Sequence, residues 1–233
     1  MFDSRIQNFE RLAYSDGPIS YAFPRLAMPL PALGSRALKR VEDIVIALPV
    51  LMVLAPVILA IALAIRLTSR GPVLFTQKRI GLHGKPFRML KFRTMRHAAR
   101  QEAACRQATR NDPRVTWLGA WLRRSSFDEL PQLLNVLAGT MSVVGPRPHA
   151  PGTCAAGRPF ETITRHYAAR HRVKPGMTGL AQVRGWRGET DTEEKLLRRV
   201  DSDLEYIATW SIRGDLRIVC RTVVAVLCMR NAW

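Results

Sequence analysis

The strongest pattern in the chain is one uninterrupted run of apolar residues. Residues 44–65 contain no polar side chain, and as a helix they would measure about 33 Å, close to the hydrocarbon thickness of a bilayer. The run is too long and begins too late for a cleaved signal peptide. A helix buried in a soluble core is the alternative, but apolar stretches of this length are rare in soluble folds. The pattern therefore predicts a membrane helix.

The flanks and the prolines of this segment bear on its path through the membrane. Basic residues stand on both sides of the run, at 36–40 and at 66–70. Because basic residues mark the cytoplasmic side of a membrane helix, both ends favour that side. Pro49 and Pro56 lie inside the run, and a proline near the middle of a helix bends it. These features favour a re-entrant helix over a straight single span.

Shorter patterns describe the rest of the chain. Two short strands are predicted at 73–75 and 87–92, around a turn with two glycines. Apolar spacing predicts helices at 115–122, 130–137, 193–210 and 216–229. The predicted fold class is α+β and mainly helical: a re-entrant membrane helix, then a small cytoplasmic α/β globular domain with amphipathic interfacial helices.

Charge narrows the choice of partners. The chain has 36 Lys and Arg against 18 Asp and Glu, a net charge of +18. Such an excess favours an anionic partner, which could be nucleic acid, an anionic lipid surface or a phosphorylated substrate. The four cysteines are scattered, without a CxxC pair, and this spacing favours free thiols in a reducing compartment.

Two adjacent carboxylates are the main candidate for chemistry. Asp128 and Glu129 lie in residues 126–132, SFDELPQ, at the predicted start of a helix. A structural role is possible, because Ser126 and Glu129 have the spacing of a capping box. Alternatively Asp128 is the cap and Pro131 lies in the first helical turn. In either case the carboxylates stand beside free N–H groups that favour a phosphate.

Five segments in order resemble one protein family. They are KFRTM at 91–95, RNDPRVT at 110–116, SFDELPQLLN at 126–135, VGPRP at 144–148 and VKPGMTGLAQV at 173–183. This series resembles the bacterial sugar transferase family, the monotopic polyprenyl-phosphate phosphoglycosyl transferases, over about residues 39–224. Each segment alone is a weak signal, whereas five in family order are specific.

The resemblance implies an arrangement in the cell. Residues 1–35 would form an N-terminal cytoplasmic tail, 36–70 the re-entrant helix with its break at Pro56, and 71–233 the catalytic domain. Many members carry Ser before this proline, where this chain has Ala55. The chain resembles the short form of the family, and the expected location is the bacterial inner membrane, with the catalytic domain on its cytoplasmic face.

The resemblance also implies a reaction. Asp128 would attack the sugar-bearing phosphate of a UDP-sugar and expel UMP, and the phosphosugar would then pass to undecaprenyl phosphate. Direct attack by the lipid phosphate is the alternative. Mg²⁺ would be held by Asp128 and Glu129, and Glu129 would alternatively handle a proton. The resemblance also implies substrate-binding residues in or next to the matched segments: Arg123, Arg147, Lys91, Arg93, Lys174 and Gln182.

The substrate and the partners follow from the same resemblance. Residues 185–192, GWRGETDT, resemble members that transfer glucose 1-phosphate or galactose 1-phosphate, so UDP-glucose is expected first. The other expected partners are undecaprenyl phosphate and anionic lipids, with no nucleic acid and with oligomerisation open. A membrane-tethered nucleic-acid binder would share the net charge, but no helix-turn-helix, RNP or zinc signature is present. A non-catalytic scaffold would not need the carboxylate pair.

The re-entrant hypothesis predicts that both ends of the apolar segment face the cytoplasm. Single cysteine probes at Ser35 and Ser69, in a cysteine-free background, should react with an impermeant reagent only from the cytoplasmic side. Labelling of the two probes from opposite faces would contradict the re-entrant path. Pro56→Leu should straighten the helix, because it restores the N–H and removes the ring clash.

Overall fold

The computed structural model describes residues 33–96, 112–186, 188 and 190–228. Most of the expected N-terminal tail lies outside these residues. So do residues 110–111 of one matched segment and residues 187 and 189 of the stretch 185–192. The structure therefore does not bear on those parts of the sequence-based predictions.

The described chain is mostly helical, with three small two-stranded sheets. The helices are α1 (Leu33–Thr68), α2 (Trp117–Ser125), α3 (Gln132–Leu137), α4 (Phe160–Ile163), α5 (Leu180–Val183), α6 (Glu193–Thr209) and α7 (Ile212–Leu227). The strands are β1 (Leu74–Ile80), β2 (Pro86–Phe92), β3 (Ser142–Val144), β4 (Cys154–Ala155), β5 (Arg158–Pro159) and β6 (Gly176–Thr178). One long apolar helix followed by a small α/β region agrees with the predicted fold class at this level.

The long helix α1 exposes its apolar side chains. It continues through Pro49 and Pro56, and only 11% of its most apolar stretch is buried against the rest of the protein. Val53 and Leu59 are 75% and 69% exposed. The alternative of a soluble core helix is therefore wrong, because such a helix would be mostly buried. By length and composition α1 could cross a membrane, and its exposed face is that of a membrane-associated helix.

Charged residues anchor the start of α1 to the small domain. The carboxylate of Asp43, which is 1% exposed, accepts hydrogen bonds from Ser142 Oγ at 2.7 Å and from the Val143 N–H at 2.9 Å. Lys39 Nζ lies 3.1 Å from Asp43 Oδ1 and 2.6 Å from Asp215 Oδ2. Because Ser142 and Val143 belong to β3 and Asp215 to α7, these bonds fix the membrane helix to both elements.

The predicted hairpin is confirmed, and its first strand is longer than expected. β1 and β2 are antiparallel, with Phe75 opposite Lys91 and Arg79 opposite Phe87. Asn135 joins the hairpin to α3: its Oδ1 accepts from the Leu90 N–H at 2.9 Å. This contact holds the end of β2, and with it Lys91, against α3.

A close backbone contact joins β3 and β6, which are parallel. A Cβ atom at Gly176 would lie 2.1 Å from the Gly145 nitrogen, so no larger residue fits at that position. The loop after β3, residues 145–148, is thereby held against the segment that begins at Pro175, and the Gly176 N–H donates to Pro146 O at 3.0 Å.

The two C-terminal helices match the sequence pattern closely. α6 covers the predicted range except for Trp210, and the Thr192 side chain caps it by accepting from the Lys195 N–H. α7 begins at Ile212, four residues earlier than predicted, because the Ser211 side chain accepts from the Gly214 N–H and caps the helix there. The sequence-based boundary overlooked this cap because the apolar stripe begins only at Leu216.

The packing of α2 predicts that Gly119→Ala destabilises the protein. A Cβ atom there would lie 2.1 Å from the Thr94 carbonyl oxygen, and a backbone atom cannot rotate away. We expect a loss of about 1–3 kcal/mol in unfolding free energy, typical of overpacking, measured by thermal unfolding in detergent. Gly214→Ala is the matched control, because its nearest neighbour is the Ser211 hydroxyl at 3.1 Å. Equal stability of the two variants would contradict the close contact.

Candidate active site

The two candidate carboxylates lie in a 3-10 turn, Phe127–Glu129, between α2 and α3. Ser126, which precedes it, has a positive φ of 62° and makes no side-chain cap hydrogen bond. α3 begins at Gln132, with Pro131 as its cap residue. Neither capping interpretation of the sequence is confirmed, because Ser126 makes no side-chain cap hydrogen bond and the cap position of α3 is Pro131 rather than Asp128.

Apolar neighbours hold this turn against the membrane helix. Phe127 and Leu130, on either side of the carboxylates, pack against a buried cluster that includes Ile61 and Ile65 of α1 and Leu122 of α2. The backbone of the turn is thus fixed by hydrophobic contacts, and its carboxylates project from a rigid support. Their position is set partly by residues of the apolar run.

Glu129 is held by two cationic side chains. Its Oε1 atom accepts from Lys91 Nζ at 2.8 Å and from Arg147 Nη2 at 2.6 Å, and its Oε2 atom accepts from Arg147 Nη1 at 3.2 Å. Arg147 therefore binds the carboxylate with both arms of its planar fork. The structure brings together three side chains that the sequence placed in separate matched segments.

Asp128 is less engaged than its neighbour. It is 8% exposed, its Oδ2 atom lies 3.7 Å from Lys91 Nζ, and its carboxylate accepts no hydrogen bond from the described residues. Burial raises the pKa of Asp128, as does the charge of Glu129, against the opposing effect of Lys91, Arg123 and Arg147. Of the two carboxylates, Asp128 is the one that is not held by hydrogen bonds from Lys91 and Arg147.

Arg123 is positioned beside this pair by the chain that follows β2. Its Nε donates to Thr94 Oγ1 at 2.9 Å. Burial lowers the pKa of Arg123, while the negative charges of Asp128 and Asp112 raise it. The charge of Arg123 therefore acts on Asp128 although the two side chains form no ion pair in the described structure.

Three of the predicted substrate-binding residues lie away from the carboxylates. Arg93 Nη2 donates to the Ser69 carbonyl at 2.8 Å, beyond the end of α1. Lys174 is directed towards Gly139 and the base of α1. Gln182 donates to the Met177 carbonyl at 3.1 Å. None of the three contacts Asp128 or Glu129 in the described chain, so their roles in substrate binding stay predictions.

A buried polar network behind the loop 145–148 supports Arg147. Arg170, which is 1% exposed, donates to the Arg147 carbonyl at 2.8 Å and to Asp203 Oδ2 at 2.6 Å. His149 lies between Arg170 and Arg199, with each of its ring nitrogens near one guanidinium. Burial, and then these two positive charges, lower the pKa of His149 well below its usual value, which keeps its imidazole neutral.

Sequence reasoning missed Arg170 and Arg79. Arg170 lies in a short 3-10 segment, Tyr167–Arg172, where no periodic pattern marks it. Arg79 had a detectable signal, because β1 alternates and Arg79 falls on its less exposed face while Lys78 is exposed. A cationic residue on the covered face of a strand is unusual.

An apolar groove runs between α1 and the small domain. Its walls consist of Leu51, Ile58, Ala62, Val73, Leu74, Phe92, Pro131 and Leu134. Phe92 follows Lys91, and Pro131 comes two residues after Glu129, so one part of the groove adjoins the carboxylate pair. A hydrocarbon chain is the kind of ligand that this surface suits.

Comparison with known proteins identifies the family. The family model of the bacterial sugar transferases matches residues 34–229 of this chain, and the chain belongs to this family. The UDP-glucose:undecaprenyl-phosphate glucose-1-phosphate transferase of Escherichia coli (strain K12) is 53% identical over 200 residues, which are 86% of this chain and 42% of that protein.

Two further relatives differ in length. The UDP-glucose:undecaprenyl-phosphate glucose-1-phosphate transferase of Caulobacter vibrioides is 50% identical over 205 residues, which are 88% of this chain and 75% of that protein. The exopolysaccharide production protein PSS of Rhizobium leguminosarum is 52% identical over 190 residues, 82% of this chain and 95% of the relative. The chain thus spans less than half of the E. coli protein, and nearly all of the Rhizobium one.

The geometry at Glu129 predicts that Arg147→Lys is not conservative. Lys keeps the charge but loses the two-armed contact, so we expect transition-state binding to weaken by about 1–3 kcal/mol. The measurement is kcat/KM with the substrates that the relatives' names specify, UDP-glucose and undecaprenyl phosphate. Arg158→Lys, at an exposed pair with Glu193, is the matched control. Equal kcat/KM for both variants would show that the fork is not required.

Proposed function

We propose that this protein transfers glucose 1-phosphate from UDP-glucose to undecaprenyl phosphate and releases UMP, with UDP-galactose as the next candidate donor. The observation that carries the proposal is the pairing of an available buried carboxylate, Asp128, with Glu129 held by Lys91 and Arg147. The names of the relatives support the donor and the acceptor. Such a reaction would serve the first membrane step of exopolysaccharide synthesis.

Asp128 acts as the nucleophile in this proposal. Its carboxylate oxygen attacks the phosphorus attached to glucose, the bond from that phosphorus to the UMP oxygen breaks, and an aspartyl phosphosugar forms. An oxygen of the lipid phosphate then attacks the same phosphorus and releases Asp128. Glu129 is less suited to the first step, because both of its oxygens already accept hydrogen bonds.

The cations around the carboxylates offset the charge of the reacting phosphates. Lys91, Arg123 and Arg147 all act electrostatically on Asp128. Their positive charge lies where the anionic carboxylate must approach the anionic phosphate of the substrate. Guanidinium groups hold phosphate oxygens in a defined plane. This preorganised positive charge is the main electrostatic contribution that the chain itself offers to the transition state.

Mg²⁺ at the same site is part of this proposal. The described residues contain no cluster of three metal-binding side chains, but Mg²⁺ is commonly held by one or two carboxylates together with substrate phosphates. Asp128 and Glu129 would hold it, and the ion would offset the negative charge of the diphosphate. If Glu129 does not bind the metal, its carboxylate would instead receive the proton from the incoming lipid phosphate.

The membrane helix gives the lipid substrate access to the site. We propose that α1 is re-entrant, bent at Pro56, and that the domain rests on the cytoplasmic face of the inner membrane, where its positive charge meets anionic headgroups. The polyprenyl chain would lie in the apolar groove while its phosphate reaches Asp128. This arrangement is supported by the exposed apolar face of α1 and by the position of the groove beside the carboxylates.

The covalent route predicts UMP release without the lipid acceptor. With UDP-glucose and Mg²⁺ alone, the protein should release up to one UMP per chain and carry a phosphosugar on the peptide that contains Asp128. Asp128→Asn should abolish the adduct, because an amide is a poor nucleophile. Glu129→Gln should slow its turnover while leaving some adduct.

The control and the kinetics separate this route from direct transfer. Asp201→Asn, at an exposed position of α6, should behave as the unmodified protein. Initial rates with both substrates should give parallel double-reciprocal lines, as in a ping-pong mechanism. Intersecting lines, with no adduct in the absence of lipid, would make Asp128 a metal ligand in a direct transfer.

A further inference from the structure

Arg79 on β1 has donors that the surrounding protein does not use. Its Nη2 donates to Gln77 Oε1 at 2.6 Å and its Nη1 to the Pro148 carbonyl at 3.3 Å. Its Nε is buried without a hydrogen-bond partner, and Arg79 forms no ion pair with a carboxylate of the described residues. A guanidinium has five N–H donors, so the hydrogen-bonding capacity of this one is not filled by its two bonds to Gln77 and Pro148.

The charge around Arg79 is unfavourable in the structure as it stands. Burial and the positive charge of Arg147 lower the pKa of Arg79 to about 10, with only a partly opposing effect of Glu129. Glu129 already accepts hydrogen bonds from Lys91 and Arg147. Arg79 thus adds a positive charge near Arg147 and Glu129, where Lys91, Arg123 and Arg147 already act on Asp128, so the cations outnumber the two carboxylates.

A purely structural role explains only part of this arrangement. The bond from Arg79 to Pro148 holds the loop that carries Arg147, but at 3.3 Å it is long for a hydrogen bond. A neutral donor could hold that carbonyl without the cost of desolvating a charge. This bond leaves the Nε without a partner and does not offset the like charge of Arg147, whereas an anion bound by the guanidinium would offset that charge.

We propose that Arg79 is a phosphate-binding residue, which together with Arg147 receives one phosphate group of a substrate beside the carboxylate pair. The inference rests on the proposed function for the source of that phosphate. Two sources share the chemistry, the diphosphate of the nucleotide sugar and the monophosphate of the lipid acceptor. Arg suits either one, because its planar fork matches two phosphate oxygens.

The test compares variants of the full chain in nanodiscs. Arg79→Gln should raise the KM for one substrate about tenfold to a hundredfold, the range for a lost charged hydrogen bond. Arg79→Lys, which keeps the charge but not the fork, should give a smaller rise. Lys78→Gln is the matched control, because Lys78 is the next residue on β1 and is exposed; its KM values should stay within about twofold.

The substrate whose KM rises identifies the source of the phosphate. A rise for UDP-glucose assigns Arg79 to the nucleotide, and a rise for undecaprenyl phosphate assigns it to the lipid. Unchanged KM values for both substrates, with a lower melting temperature in Arg79→Gln, would overturn the inference and leave Arg79 as a support of the Pro148 loop.

Pyrophosphate binding separates this inference from the proposed function. Calorimetric titration of the chain with inorganic pyrophosphate needs no turnover, and Arg79→Gln should weaken that binding while Lys78→Gln does not. If the unmodified chain fails to transfer glucose 1-phosphate, the proposed function fails, yet the titration still decides whether Arg79 binds phosphate. Equal affinities for pyrophosphate in both variants would overturn the role of Arg79.

Discussion

The buried carboxylate of Asp43 is the contact on which the arrangement of the other elements depends. It lies in the charged first part of α1, directly before the apolar run, where it accepts two hydrogen bonds from β3 and pairs with Lys39, which also reaches Asp215 on α7. A buried ion pair adds little net stability by itself, but loss of one partner leaves an uncompensated charge. The membrane helix is therefore tied to β3 in one position, and the loop that follows β3 carries Arg147.

The position of that loop determines the position of Arg147 in the site. The loop is held on one side by the close contact of Gly145 with Gly176 and on the other by Arg170, which donates to the Arg147 carbonyl and to Asp203. The guanidinium of Arg147 then orients Glu129. The backbone of Arg147 is thus fixed by groups that do not contact Glu129, which is how its rigid fork can be aimed at that carboxylate.

Elements with a clear periodic pattern of apolar residues were predicted from the sequence. Features that depend on contacts between residues far apart in the sequence were not. The apolar run, the hairpin and α6 follow from local patterns, and the family resemblance is confirmed. The turn at Asp128 differs from prediction because Ser126 adopts a left-handed conformation, which no spacing rule reveals. Membership of a matched segment also did not ensure proximity: Arg93 and Lys174 point elsewhere. The contacts that make Arg79 and Arg170 important are with residues distant in the sequence, such as Pro148 and Asp203. A periodic pattern does not reveal such contacts.

The packing of Phe127 and Leu130 against α1 has a kinetic consequence under the proposed function. The reacting carboxylate is fixed to the same helix that associates with the bilayer, so enzyme and lipid acceptor share one leaflet. Their encounter is then a search in two dimensions, and its frequency depends on the number of acceptor molecules per unit of membrane area. Dilution of the cell suspension leaves that rate unchanged, whereas dilution of the acceptor with other lipids lowers it.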